Sequence, residues 1–508
     1  MVAGGNWSDV PKEDCYSGVV GIEAIRLGFF MGELFGLTCV AGDVGNAYLN
    51  AHTKEKVYLV AGPEFGKELE GRILLVEKAI YGLISSAARF HENLSDKLRG
   101  LGFRPTKVDS DLWMKKKGDH YEFIATYVDD VLIWSKDPMS IMKELQQIYT
   151  MKGVGIPEFY LGGDVERLDE HWTREGIGLA LSAKTYITNL IPKYEKLLGM
   201  QFKKIKTPMA EDYHPELEES EPLDGDGAAK FRSIIGSLNW IITIGRFDVA
   251  YATSALSRYG MAPRKGHMDA AIRVLRYLKT YPKGRILIDT KPLDHSKLKQ
   301  KPEHNWEEFY PDAEEEIPRD MPEPTGKRVT VTVYVDADHA HDVVTRRSIT
   351  GILVYVNGTP THWICKRQKT VETSTYGSEL VAARLAVEVI MEVRYNLRML
   401  GVEPDGPAIM LGDNMSVVLN TTVPSSVLKK KHNSIAYHRV RECIAAKIVK
   451  FFHIDSIVNV ADVLTKPLGN LAFHRLVYRW LFRTSPNVEQ ERQKGEDEEV
   501  IEDSEFEK

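Results

Sequence analysis

The sequence predicts a mixed α/β protein of several domains, and three observations carry that prediction. Alternating apolar runs such as "RVTVTVYVDAD" (328–338) read as strands, because a period of two sends successive side chains to opposite faces. Runs with apolar residues three and four apart, such as "RFHENLSDKLRGLGF" (89–103), read as helices. The two patterns interleave on both sides of one long stretch rich in proline and charge, which marks a linker. A chain of 508 residues has room for about two to four such domains.

In chain order, "CVAGDVGNAYL" (39–49) is an apolar strand running into a turn. The segment 89–103 sets Phe90, Leu94, Leu98 and Leu101 on one helical face and ends at Gly100 and Gly102. "YEFIATYVDDVLIWS" (121–135) reads as strand, turn, strand, followed by a helix with Ile141, Leu145 and Ile148 in phase. From Phe231 to Lys279 the period is helical (Ile234, Leu238, Ile241, then Ile272, Leu275, Leu278), which predicts a separate helical region within 216–290. Residues 291–328 are the linker or an extended wrap.

After the linker, Val329, Val331, Val333 and Val335 share one strand face, while Asp336 and Asp338 lie on the other. "GILVYVNGTPTHWICK" (351–366) is a hairpin turning at Asn357-Gly358. A long helix follows from about Tyr376 to Leu400, with Leu380, Ala383, Val387, Ile390 and Leu397 inward. "AIMLGD" (408–413) and "IVKFFHI" (448–454) are short strands, and "VADVLTKPL" (460–468) opens a last helix, closing a domain over 329–480.

Composition sets limits. Hydrophobic content of 43% and charged content of 27% are those of a globular protein, and the apolar run 234–245 is too short to cross a bilayer. No secretory signal opens the chain. Four cysteines (Cys15, Cys39, Cys365, Cys443) lack zinc-site or disulfide spacing, which points to a reducing, intracellular setting. The net charge of −6 comes from the end: Glu489 to Lys508 carry ten acids against three bases, which leaves the body at +1. Residues 485–508 are therefore expected to be a disordered acidic tail, and the overall charge does not speak against nucleic acid as a partner.

Two sets of carboxylates carry the chemistry. Asp129 and Asp130 sit side by side in an apolar hairpin, where they repel each other and where burying either unpaired is costly. Asp43 follows an apolar strand, with Gly45 leaving room for close approach. Ordinary turn residues account for these three, and so does a pair of divalent cations about 3.5–4 Å apart, which requires carboxylates from separate strands. The second set is Asp336 on the polar face of its strand, Glu379 in the first turn of a helix, Asp413 at a strand end, and Asp462 opening the last helix. Singly, Glu379 and Asp462 read as helix N-terminal acids; four converging acids require divalent cations.

The motifs resemble the reverse transcriptase and ribonuclease H of copia-type LTR retrotransposons, in the C-terminal part of the pol polyprotein. "DVGNAYL" (43–49) and "YVDD" (127–130) are similar to the two metal-binding motifs of a reverse transcriptase palm. "KAIYGLISSAARFHENL" (78–94), "YLGGD" (160–164, like the primer grip) and "FRSIIGSLNWIITIGRFDVAYATSALSRY" (231–259) are similar to further blocks of that family. "YVDADHA", "STYGSELVAA", "LGDNMSV" and "NVADVLTKPL" resemble its ribonuclease H blocks, in order.

The resemblance implies fingers and palm over 1–215, a thumb or connection-like region over 216–290 and a ribonuclease H-like domain over 329–480. The fingers would be truncated, because the chain opens where the family is still building them. It implies Asp43, Asp129 and Asp130 as polymerase metal ligands, with Asp336, Glu379, Asp413 and Asp462 as nuclease ligands. The cation would be Mg²⁺ or Mn²⁺. Tyr48 would be a steric gate beneath the incoming sugar, and Gly82 would lie near the template–nucleotide pocket; their plainer readings are a core aromatic and a turn glycine. His453 is either a proton shuttle or a packed strand histidine. "VLKKKHNSIAYHRVRE" (427–442) gathers Lys429, Lys430, Lys431, Arg439 and Arg441 with His432 and His438; its plainer reading is a solvated charged face, and its place between two carboxylates would put it on hybrid phosphates, with Arg346, Arg347 and Lys366–Lys369 adding to the groove. The implied partners are an RNA template, an RNA–DNA hybrid, deoxynucleoside triphosphates and other parts of the polyprotein, in an intracellular particle with nuclear entry. The alternatives are a truncated copy keeping only ribonuclease H activity, and a non-enzymatic binder of nucleic acid.

Overall fold

A computed structural model describes residues 15–168, 178–299 and 303–482. The acidic tail expected over 485–508 lies outside them. The chain divides into two compact units; the first runs to Pro157 and takes in Pro322–Thr325 and Met399–Gly401, and the second holds the remainder.

The first unit contains α1 (Ile22–Phe35), β1 (Thr38–Val44), β2 (His52–Val60), β3 (Ile73–Lys78), α2 (Ser86–Gly100), β4 (Arg104–Pro105), β5 (Leu112–Lys117), β6 (His120–Tyr127), β7 (Asp130–Ser135), α3 (Pro138–Gln146) and β8 (Met151–Gly155). Six strands form one sheet in the order β4-β5-β6-β7-β1-β8, and β2–β3 is a separate ribbon. Phe90, Leu94 and Leu98 of α2 and Ile141, Met142 and Leu145 of α3 pack with Ile124, Val131 and Ile133 on one sheet face. The opposite face meets α1, where Phe29 stands edge-on to Trp134 at 5.2 Å. Covered on both sides, β6 and β7 can be apolar at every position, which accounts for the unbroken run around the two aspartates. The helix after β7 stops two residues earlier than its period predicts: Ile148 lies beyond α3 and is exposed.

The second unit begins with β9 (Phe159–Tyr160), β10 (Gly163–Arg167) and β11 (Leu179–Ser182), then α4 (Lys184–Leu198), α5 (Gly225–Ile244), α6 (Ala250–Ser257), α7 (Lys265–Thr280) and β12 (Arg285–Ile288). The four strands form a sheet in the order β12-β11-β10-β9. Within "YLGGD", Leu161 (φ +46) and Gly162 (φ +84) form the two-residue turn of the β9–β10 hairpin.

The chain continues through β13 (Arg328–Val329), β14 (Val331–Asp338), β15 (Ile349–Val356), β16 (Thr359–Arg367), α8 (Thr375–Met399), β17 (Glu403–Pro404), β18 (Ala408–Gly412), α9 (Met415–Thr422), α10 (Ser434–Ala445), β19 (Val449–His453) and α11 (Asn470–Leu481). The principal sheet runs β16-β15-β14-β18-β19. Its first three strands are antiparallel, whereas β14, β18 and β19 are mutually parallel. Both faces of β14 are covered: Thr332 and Asp336 are buried as fully as the valines.

Two helix positions differ from the sequence reading. Glu379 is the fifth residue of α8 and buried, so it lies beyond the first turn and is not a dipole-favoured terminal acid. Asp462 does not open a long helix; it sits in a one-turn 3-10 segment, Val460–Leu464. Pro467 cannot donate a backbone hydrogen bond, and the next helix starts only after Gly469.

Candidate active sites

The first carboxylate set is built by strand register. Asp43 and Asp130 face each other across the β1–β7 ladder although 87 positions apart in sequence, and Tyr127 pairs with Asp130, leaving Val128-Asp129 as a two-residue turn. The turn is stitched to the neighbouring strand by the Val44 N–H, which donates to the Asp129 carbonyl at 2.8 Å. Val128 adopts φ +55, a left-handed conformation that a β-branched residue rarely takes. Burial pushes the Asp130 carboxyl up to about 6, with Asp129 and then Asp43 adding to it. Asp43 is also raised, by burial first and then by Asp129, against the pull of Lys152. Lys152 lies opposite Asp43 in the β1–β8 ladder, a cation that sequence spacing did not bring out. Gly45 does permit close approach, and what approaches is the chain's own 150–152 segment: the Gly45 N–H donates to the Thr150 carbonyl at 2.8 Å.

Tyr48, in the 3-10 turn Ala47–Asn50, is half-buried against Tyr81 at 4.6 Å and edge-on to Phe90 at 6.3 Å. Burial raises its hydroxyl pKa, and the Asp129 charge is the next cause, which puts Tyr48 within electrostatic reach of the carboxylates. Gly82 is exposed at φ +97, a backbone state that favours glycine.

The second set closes more tightly. Carboxylate oxygens of Asp336, Glu379 and Asp413 lie within 4.8 Å of one another, and no other group of three or more potential ligands meets that spacing among the described residues. Asp462 stands outside this trio. It is tied to it by Lys466, whose Nζ is 3.1 Å from Asp462 and 3.8 Å from Asp336. Burial and the neighbouring acids, Asp336 foremost, push Glu379 well above the ordinary carboxylate range and Asp462 up to about 7. Asp413 is raised by the same causes. Asp462 Oδ1 is buried without a hydrogen-bond partner.

Four supports escaped the sequence reading. The Thr465 hydroxyl donates to Asp336, and Asn459 donates to the Val335 carbonyl at 3.1 Å while capping the 460–464 turn. Lys466 supplies the counter-charge. Gly351 faces Asp336 in the β14–β15 ladder, where a Cβ would stand 2.7 Å from the Ala461 carbonyl oxygen. The motif "NVADVLTKPL" contains three of these four; their roles become visible only when the turn folds back on β14. His453 Nε2 meets the Asp413 backbone carbonyl at 3.0 Å, as a strand-end histidine satisfied by the chain.

The basic run divides. Lys430 donates to the Ser374 hydroxyl and, at 3.3 Å, to Thr373, beside the start of α8. Lys431 is exposed and Arg439 pairs with Glu442 at 2.9 Å. Arg441 is only 2% exposed and donates to the carbonyls of Asn420, Val423 and Pro424, so it is a structural residue and not a phosphate contact.

The chain is similar in sequence to known proteins. Residues 2–210 match the family described as reverse transcriptase (RNA-dependent DNA polymerase). Over 435 residues the chain is 26% identical to the retrovirus-related Pol polyprotein from transposon RE1 of Arabidopsis thaliana, covering 85% of this chain and 26% of that protein. It is 25% identical to the Pol polyprotein from transposon TNT 1-94 of Nicotiana tabacum, over 89% of this chain and 32% of that one. A putative transposon Ty5-1 protein of Saccharomyces cerevisiae is 28% identical over 68% of this chain and is covered completely. Among solved structures, the N-terminal RNase H domain of a Mycobacterium tuberculosis protein is covered to 98% by 30% of this chain, at 15% identity and a TM-score of 0.21, too low to carry weight.

Residues 2–210 are thus similar to reverse transcriptases. The chain as a whole is similar to the retrovirus-related Pol polyproteins of plant transposons, and it spans about a quarter to a third of the length of those it matches.

Proposed function

We propose that the chain is an RNA-directed DNA polymerase with an associated ribonuclease for RNA–DNA hybrids, working by two-metal phosphoryl transfer at two separate carboxylate sites. The observation that carries this reading is the convergence of Asp336, Glu379 and Asp413, from two strands and a helix, to within 4.8 Å. Acids at that spacing repel one another; burial first, and the charge of the neighbouring acids next, raise both Glu379 and Asp413. A divalent cation relieves the repulsion, so the residues present fit Mg²⁺ or Mn²⁺.

In the nuclease, Asp336, Glu379 and Asp413 would hold the cations, with Asp462 completing the set from the 460–464 turn. When bound, the metals supply a nucleophilic hydroxide and stabilise the leaving oxygen in line with it. Thr465 fixes the Asp336 rotamer, Asn459 fixes the turn against β14, and Lys430 and Lys431 place positive charge where hybrid phosphates would lie. Arg439 adds a weaker contact, since Glu442 already engages it. Such phosphate contacts are blind to sequence and sensitive to salt.

In the palm, Asp43, Asp129 and Asp130 would hold the polymerase cations, and Tyr48, packed on Tyr81, would limit space beneath the sugar of an incoming deoxynucleoside triphosphate. Gly82 would line the same pocket, where its φ excludes a side chain. Residues 1–215 would then be fingers and palm, 216–290 thumb or connection, and 329–480 the ribonuclease domain, acting with other polyprotein parts in an intracellular particle.

Primer extension on an RNA template and Mg²⁺-dependent cleavage of a labelled hybrid test the two sites separately. Asp129→Asn abolishes incorporation and leaves cleavage; Asp336→Asn or Glu379→Gln does the reverse. Cleavage that persists in Asp336→Asn overturns the nuclease assignment. Incorporation unchanged in Asp129→Asn overturns the polymerase assignment.

A further inference from the structure

The loop between β14 and β15 follows directly on Asp336 and Asp338, and the helical segment grips it at three points. Glu216 Oε1 accepts from the Val343 N–H at 3.0 Å, Arg258 pairs with Asp342 at 2.8 Å, and the Tyr251 hydroxyl meets His341 Nε2 at 2.5 Å. His341 Nδ1 in turn meets Asp338 Oδ2 at 2.5 Å. A carboxylate only accepts, so His341 Nδ1 donates to Asp338; when the ring carries that proton alone, Nε2 accepts from the Tyr251 hydroxyl. Tyr251 and His341 are buried, with the His214 ring 5.6 Å from that of His341. The loop holds two non-glycine residues at positive φ, Ala340 (+52) and Arg346 (+57), a state that persists only where the surroundings enforce it. Asp338 is not in the carboxylate trio, yet its charge is among those acting on Lys466, the cation between Asp336 and Asp462.

We propose that Tyr251 is a positioning residue for the nuclease site: through His341 it fixes Asp338 beside Asp336, so that cleavage depends on a helix, α6, that supplies no metal ligand. The inference rests on the ribonuclease reading above. Buried hydrogen-bonded chains of this kind hold one geometry because breaking any link leaves an unpaired polar group.

The test uses the full chain in an Asp129→Asn background, which weakens ion binding at the palm, and the same background serves as the parent for every comparison. Tyr251→Phe removes one hydroxyl, and His341→Gln serves as a second, independent break. Three quantities are read: the ¹⁵N shifts of the His341 ring, the Mn²⁺ concentration that half-saturates the site by electron paramagnetic resonance, and hybrid cleavage against Mg²⁺. Expected for both variants are a Mn²⁺ half-saturation raised about three- to tenfold and cleavage lowered about tenfold, with thermal unfolding near that of the parent. In Tyr251→Phe the Nε2 shift also moves. A correctly folded Tyr251→Phe that binds Mn²⁺ and cleaves as the parent does overturns the proposal while leaving the ribonuclease intact. Cleavage that survives Asp336→Asn removes the ribonuclease reading and the proposal together.

Discussion

Lys466 stands between two acids that the metal-ligand spacing does not join: its Nζ is 3.1 Å from Asp462 and 3.8 Å from Asp336. Burial opposes its charge, but Asp336 and Asp462 outweigh burial and hold it protonated. In the absence of a divalent ion this ammonium is the nearest counter-charge to a cluster of four carboxylates. Lys466→Met therefore destabilises the metal-free protein by about 2 kcal/mol, less than a fully buried pair would lose because the lysine is partly exposed. Added Mg²⁺ recovers more stability in the variant than in the parent, since a ligand that binds only the folded state stabilises by mass action. Thermal unfolding with and without 10 mM Mg²⁺, taken here as about a saturating level, measures both effects; equal Mg²⁺ responses would refute the counter-charge role.

Gly351 makes the second prediction. It lies opposite Asp336, and a Cβ there would come 2.7 Å from both the Ala461 carbonyl oxygen and Thr465 Cγ2. The neighbour is backbone of the turn that presents Asp462, so it yields only by moving that turn. Gly351→Ala costs about 1–3 kcal/mol as an overpacked core position does, and hybrid cleavage falls at least tenfold while primer extension is retained. Retained cleavage would show that Asp462 tolerates displacement.

The β6–β7 turn supports a third prediction. Val128 at φ +55 stores about 1–3 kcal/mol of backbone strain. Glycine removes that strain at an entropic cost of about 0.5–1 kcal/mol. Urea unfolding of Val128→Gly should thus show the first unit about 1 kcal/mol more stable, and incorporation should decrease because Asp129 loses its rigid presentation. Loss of stability would mean that Val128 packing outweighs its strain.

What the sequence revealed, and what it hid, follows from the range of the interactions. Strands and helices were legible because their periods are local: α8 begins at Thr375 where Tyr376 was expected, and the Asn357-Gly358 turn lies where its φ requirement puts it. The carboxylates were legible because motif order constrains them, although Asp43 and Asp130 meet only through strand register. Arg441 was misread as a phosphate contact: a charge run says nothing of burial, and its carbonyl partners between Asn420 and Pro424 converge only when α9 and α10 pack. Lys466, Thr465, Asn459 and Gly351 were hidden for the same reason, since each acts on a strand more than a hundred residues distant or on a ladder partner. Tyr251 is hidden more deeply, because nothing in an apolar helix marks one tyrosine for a histidine 90 residues on.

The proline- and charge-rich stretch yields the last prediction. Read as a linker or wrap, it is fastened within the second unit: Glu315 accepts from Arg394 and Arg398 at 2.6–2.8 Å, and Trp306 lies 4.8 Å from the Arg441 guanidinium. Burial works against the Glu315 charge, but the two arginines overcome it and hold the carboxyl down at about 2. A depressed carboxylate contributes stability that is complete above its unfolded value of about 4.3 and fades as pH falls toward the folded value. Glu315 is one-fifth exposed. The contribution at neutral pH is therefore on the order of 2–3 kcal/mol. Hydrogen exchange over 303–321 reads it directly: protection in the parent declines between about pH 4.5 and 2, whereas Glu315→Gln is less protected at pH 7 and shows no such step. A parent segment that keeps its protection to pH 2 would mean that Trp306 stacking, and not the two arginines, fastens the strap.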